Sequence, residues 1–158
     1  MRFLISFACL IGLFTTPVLA QTTSEERPNV EAVEDSDQEM NDAIATARRT
    51  LPSFLDVLAN PPRGASRIGF KFPLSGWEHI WVYDVRRDGD FLTGKLANVP
   101  MQEEWSVDDP VRVPLSHVSD WAWMNANGVM EGHFTTRVLL DRIDPQRADL
   151  IARGMGWK

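Results

Sequence analysis

Glu78-His79-Ile80-Trp81-Val82-Tyr83-Asp84-Val85-Arg86, then Arg87-Asp88-Gly89-Asp90 and Phe91-Leu92-Thr93-Gly94-Lys95-Leu96-Ala97, is the stretch that decides the fold class. Ile80 and Val82 alternate with His79, Trp81 and Tyr83, the period-2 pattern of a half-buried strand. Asp88-Gly89 is a strong hairpin turn, because the pair tolerates the positive φ that a tight turn demands. Phe91 to Ala97 is the returning strand.

Reading outward, Arg67 to Pro73 is a further short alternating segment. Before it, Met40, Ala43, Ile44, Ala47 and Leu51 recur at spacings of three and four, which places them on one apolar helical face. Ser36-Asp37-Gln38-Glu39 reads as its capping box. Pro52 predicts a kink or a restart, Phe54, Leu55 and Leu58 continue the stripe, and Asn60-Pro61-Pro62 ends it. Downstream, Val99 to Pro110 is a loop with Glu103, Glu104, Asp108 and Asp109 around Trp105, and Val111-Arg112-Val113 is a strand closed by Pro114. Trp121 to Met124 and Val129 to Phe134 face each other across Asn127-Gly128, with Thr135 to Leu140 extending the last strand. Asp144 then caps a helix whose first residue is Pro145, and Gly154 stops it. The expectation is an α+β fold. It has a strongly bent antiparallel sheet or small open barrel of five to six strands, an N-terminal kinked helix and a short C-terminal helix.

Residues 1–20 read as a cleavable secretory signal. Arg2 is the positive start, Phe3 to Phe14 is apolar, Pro17 breaks any helix, and Val18-Leu19-Ala20 offers small residues for cleavage near Ala20. Residues 21–35 are polar and acidic and predict a disordered tether, and residues 36–158 form the domain. The chain of 158 residues carries a net charge of −6. Gln21 to Asn41 holds seven acids and one arginine, whereas Asp42 to Lys158 holds fifteen acids and fourteen bases. The domain is therefore nearly neutral and has no clustered basic footprint for nucleic acid. Cys9, the single cysteine, falls within the signal. After cleavage, disulfides, thiolate catalysis and cysteine metal sites are all excluded. No later stretch approaches the roughly 20 apolar residues of a membrane span.

Two stretches resemble a known family. One is Trp77 to Gly94, with Trp77-x3-Trp81-Val82 and then Asp88-Gly89-Asp90-Phe91-Leu92-Thr93-Gly94. The other is Asp109 to Trp121, followed by Gly128 to Leu139. Together they resemble the YegJ-like bacterial family, domain of unknown function 2314. In that family a Val-Pro-Leu segment leads to a Ser-Asp-Trp corner and a Gly-Gly-Phe/Tyr-Thr-x-Arg strand. Val113-Pro114-Leu115, Ser119-Asp120-Trp121 and Gly132-His133-Phe134-Thr135-Thr136-Arg137 match it, with Glu131 and His133 as departures. The resemblance runs from about Met40 to Arg153. It implies a small bacterial domain, periplasmic or secreted given the signal, and favours a binding role. It brings no established activity and no catalytic residues.

The residues themselves show little catalytic patterning. His79, His117 and His133 lack a local metal-ligand spacing. If the sheet joined His79 to His133, zinc with Glu78 or Glu131 would become possible, but no metal or cofactor is expected. Asp84, Asp88 and Asp90 are accounted for by the hairpin, and the acids at 103–109 lack the order of a calcium loop. Ser116, His117, Ser119 and Asp120 look like a triad on paper, but they are sequence neighbours, whereas triad members converge in space. Ser119, Asp120 and Trp121 read as a structural corner. Arg137, read as mid-strand in an apolar stretch, should pair with Asp120 or anchor an anion or peptide carboxylate. Trp77, Trp81, Tyr83 and Trp105 are the candidate contact surface.

The leading expectation is a non-enzymatic exported domain that binds an envelope protein, a peptide or a small ligand. One alternative is a small hydrolase of cell-wall or polysaccharide material using His79, His133 and a nearby acid. Another is a toxin-neutralising or inhibitor protein.

Overall fold

A computed structural model describes residues 37–158. The signal, its cleavage point and the acidic tether lie outside the described residues, as does Ser36. Helix α1 spans Gln38–Ala59. Its N-cap is Asp37, whose carboxylate accepts from Met40 N at 3.1 Å and also receives Arg142. That bonding holds the Asp37 carboxyl at about 2, the Arg142 guanidinium being the larger cause. The helix passes through Pro52 as one element of 22 residues, so the proline does not divide it. Pro52 lies on the exposed side.

Six strands follow: β1 (Ser66–Leu74), β2 (Glu78–Asp88), β3 (Phe91–Leu96), β4 (Pro110–Pro114), β5 (Asp120–Met124) and β6 (Met130–Gly132). They form one antiparallel sheet in the order β4-β3-β2-β1-β5-β6, open rather than closed into a barrel. Gly89 takes a φ of 59° in the β2–β3 turn, as the Asp-Gly pair requires. Register shifts between Ser66 and Gly69 of β1 and between Tyr83 and Arg86 of β2 mark bulges, which bend strands and increase their twist.

Register sorts the residues by face. Leu96, Val82, Phe70 and Trp121 stand directly opposite one another across β3, β2, β1 and β5 and point to one side. All four are buried, and they join Ala47, Leu51 and Phe54 of α1 in a single core. Phe54 stacks on Trp121 at 5.6 Å between ring centroids. The indole N–H of Trp121 donates to the Ala47 carbonyl at 3.0 Å, so the one polar atom of this large side chain is satisfied. Each fully buried aliphatic or aromatic side chain here contributes about 1.5–3 kcal/mol of transfer free energy.

The chain after β6 departs from expectation. Thr135 to Leu140 does not extend the strand. Phe134–Leu140 is helix α2, and Pro145–Gly154 is helix α3 with Asp144 as its N-cap. Two consecutive left-handed residues, Gly132 (φ 75°) and His133 (φ 54°), turn the chain out of the sheet. A Cβ on Gly132 would lie 2.7 Å from the Trp121 ring, so only glycine fits the turn. The β-branched residues Thr135, Thr136 and Val138 resemble a strand by propensity, but tertiary bonds outweigh that preference. No helix among the described residues is long and apolar enough to cross a membrane.

Candidate functional site

The opposite face of the same strands carries a second row. Trp81 of β2, Lys71 of β1 and Asp120 of β5 are register partners, so their side chains emerge together on the side away from α1. Lys71, Ser119, Asp120, His133 and Thr135 are all buried, a concentration of polar groups that the apolar core face lacks.

Asp120 organises the cluster. Its carboxylate accepts from Trp121 N at 2.8 Å, Phe134 N at 3.2 Å, Thr135 N at 2.8 Å and Thr135 Oγ1 at 2.7 Å. It therefore caps the start of α2 from a neighbouring strand, a position where His133 supplies no side-chain cap. Such capping satisfies backbone N–H groups that the helix leaves free. Lys71 Nζ donates to Thr135 Oγ1 at 3.3 Å and sits 5.6 Å from the centroid of Trp81. Burial pushes the Lys71 ammonium below its ordinary range, opposed by the charge of Asp120. Burial pushes Asp120 up, opposed by its hydrogen bonds and by Lys71. Every buried side-chain polar atom among the described residues has a partner, as a high-stakes polar network requires.

Two histidines flank this pair. His79 Nδ1 and Ser119 Oγ share a hydrogen bond at 2.9 Å. His133 Nδ1 and Thr136 Oγ1 share one at 3.0 Å, and the His133 ring lies 4.4 Å from Trp81. Burial, then the Lys71 charge, brings both imidazoles down to about 4. Both are neutral at pH 7.

Arg137 lies in α2 and not mid-strand, and it does not pair with Asp120, whose oxygens are taken by the α2 start. Its Nε donates to the Gly132 carbonyl at 3.3 Å, and its guanidinium stacks 3.8 Å from the centroid of Trp157. Trp157 in turn meets His133 edge-on at 6.2 Å and donates to the Met130 carbonyl at 2.8 Å. The terminal N–H groups of Arg137 have no acceptor among the described residues, and the side chain is exposed.

The remaining candidates scatter. Trp77 sits at the β1–β2 turn, 53% exposed. Tyr83 donates to Asp108, and that bond raises its hydroxyl to about 12. Trp105, in the loop before β4, is partly buried and packs against the core. Glu78 is buried and accepts from Met101 N, while Glu131 accepts from Asn125. Neither joins His79 and His133, and no group of three possible metal ligands occurs among the described residues. His117 is exposed at the end of a 3₁₀ turn, Leu115–His117.

Ser119, Asp120 and Trp121 diverge to His79, to α2 and to α1 respectively. The sequence reading missed Lys71, Thr135 and Trp157. Lys71 gave one signal, a lysine between Phe70 and Phe72 in an otherwise apolar run.

The family model for DUF2314, described as uncharacterized protein conserved in bacteria, matches residues 37–157. The chain belongs to this family. It is also similar to a protein of Neisseria meningitidis serogroup B named as an ankyrin repeat protein, 31% identical over 120 residues. That match covers 68% of this chain and 47% of the relative, so the chain spans about half the length of the curated relative it matches. No solved structure matches.

Proposed function

We propose that this member of the DUF2314 family is an exported, non-enzymatic module that binds an envelope protein through the Trp81–His133–Trp157–Arg137 face and reads a carboxylate on it. The observation that carries the reading is Arg137. Its guanidinium is held over Trp157 with only Nε engaged, which leaves the planar fork ready for a bidentate acceptor. Trp157 supplies the π surface beside it, backed by the buried His133 and then Trp81, the mix of aromatics and arginine that marks binding hot spots. The buried Lys71–Thr135–Asp120 network fixes α2, and through it Arg137. The name of the Neisseria relative points the same way, because ankyrin repeats form extended protein-binding surfaces. Export rests on the signal-like residues 1–20. The hydrolase alternative needs an acid beside His79 and His133, whereas Glu78 accepts from Met101 N and Glu131 from Asn125.

In-cell crosslinking of the tagged, full-length gene product tests both parts. The expected result is one stoichiometric protein partner, recovered with a processed chain beginning near Gln21. Arg137→Ala and Trp81→Ala should each lower its recovery at least tenfold, with unchanged thermal unfolding. Retention of the partner by both variants would sink the assigned face, and an unprocessed chain in the cytoplasm would sink export.

A further inference from the structure

The helix-covered side of the sheet is not covered throughout. Beyond Leu58, near the end of α1, it continues as an open groove of about 990 Å³ lined only by α1 and β1 to β4. Its floor is apolar: Leu58, Ile68, Val85 and Val111 belong to the layer packed against the core. Its rim is cationic, with Arg67, Arg86, Lys95 and Arg112. Lys95 is paired with Asp84 at 3.8 Å and Arg112 with Asp88 at 3.1 Å. Arg67 and Arg86 make no ion pair or side-chain hydrogen bond with any described residue. Both bulges of the sheet lie here, and each holds a non-glycine residue at positive φ, Arg67 at 49° and Asp84 at 53°. Backbone held in that region is strained and persists where its surroundings demand it, and bulges re-aim side chains.

The chain contains a segment of matching chemistry. Residues 21–36 hold five acids, Glu25, Glu26, Glu31, Glu34 and Asp35, against the single base Arg27. We infer that this acidic leader docks in the groove of its own domain, with Glu25 and Glu26 meeting Arg67 and Arg86. The reach is sufficient. Helix α1 of 22 residues is about 33 Å long at ~1.5 Å per residue. Residues 25–36 are twelve residues and extend to about 40 Å. The later acids then run alongside α1, past the exposed Arg49 near its middle. The leader carries a net −4 of the chain's net −6 and the groove rim carries two arginines without an ion pair, so the strap brings opposite charges together. Exposed charge pairs are screened at high ionic strength, so the strap should be released by salt.

The test uses residues 21–158, which contain every described element and no cysteine. A nitroxide is placed on Ser24→Cys. At low salt, the methyl signals of Leu58, Ile68, Val85 and Val111 should lose at least half their intensity relative to the reduced label. Arg67→Glu with Arg86→Glu should restore the signals, and adding Glu25→Lys with Glu26→Lys should quench them again. Absent quenching at low salt, or quenching that survives the arginine reversals, would overturn the inference. So would quenching seen only between labelled and unlabelled molecules, which would assign the leader to a second copy. None of these readouts involves Arg137 or partner capture, so the outcome is independent of the proposed binding face.

Discussion

The two faces of the β1–β2–β5 sheet are built from alternate residues of the same strands, yet they are held by different physics. On the α1 side, Val82, Phe70 and Trp121 form an apolar row closed by packing. On the other side, Trp81, Lys71 and Asp120 form a row in which a buried cation and a buried carboxylate are joined through Thr135. The apolar face tolerates any arrangement that fills the same volume. The polar face has a fixed set of partners, and losing one strands the others. The comparison teaches that one side of the sheet is held by packing and the other by a fixed set of hydrogen bonds.

The largest expected effect is on the apolar row. Phe70→Ala should cost about 3–5 kcal/mol, read as a lower midpoint in urea unfolding. A loss under 1 kcal/mol would show that the two faces are not so divided. Next is Asp120→Ala, which leaves Lys71 buried without its counter-charge and uncaps α2. It should cost about 3 kcal/mol. Adding Lys71→Met should return a large part of that loss, because the stranded charge is removed. If the two losses simply add, the residues do not form a network.

A third effect concerns acid. His79 and His133 are lowered to about 4 in the folded state against an ordinary value near 6.5. Between those values the unfolded chain binds more protons, so stability is full above about pH 6.5 and falls as pH drops toward 4. The loss from pH 7 to pH 5 should be about 1–2 kcal/mol for each histidine. His79→Gln should flatten the profile relative to wild type, and an unchanged slope would deny the histidine its part. The smallest effect is at the periphery. Trp77→Ser, at a turn and half exposed, should change stability by less than about 0.5 kcal/mol. A larger loss would place it in the core.

Much of this fold was legible in the chain. The hairpin at Asp88-Gly89, the stripe of α1 and the Asp144-Pro145 helix start are local signals, set by turn chemistry, periodicity and capping within a few residues. Helix α2 was not legible, because its cap is Asp120, 14 residues before Phe134 and on strand β5. Without that carboxylate, Thr135 to Leu140 reads as β-prone. The same limit separated the candidate site from its reading. Trp81, His133 and Arg137 could be picked out singly, but Trp105 packs against the core and Lys71 and Trp157 passed unnoticed, because a residue's face depends on strand register and on where the C-terminus folds back.

The sequence by itself determined the α+β composition, the near-neutral domain behind an acidic leader, and the family. Charge, periodicity and motif are properties of neighbouring residues and need no coordinates. Only the tertiary structure decided that one face of the sheet buries a lysine against an aspartate, that Arg137 lies on Trp157, and that a cationic groove stays open past the end of α1. Each of those joins residues far apart along the chain, and only cross-strand register and helix docking bring them within bonding distance.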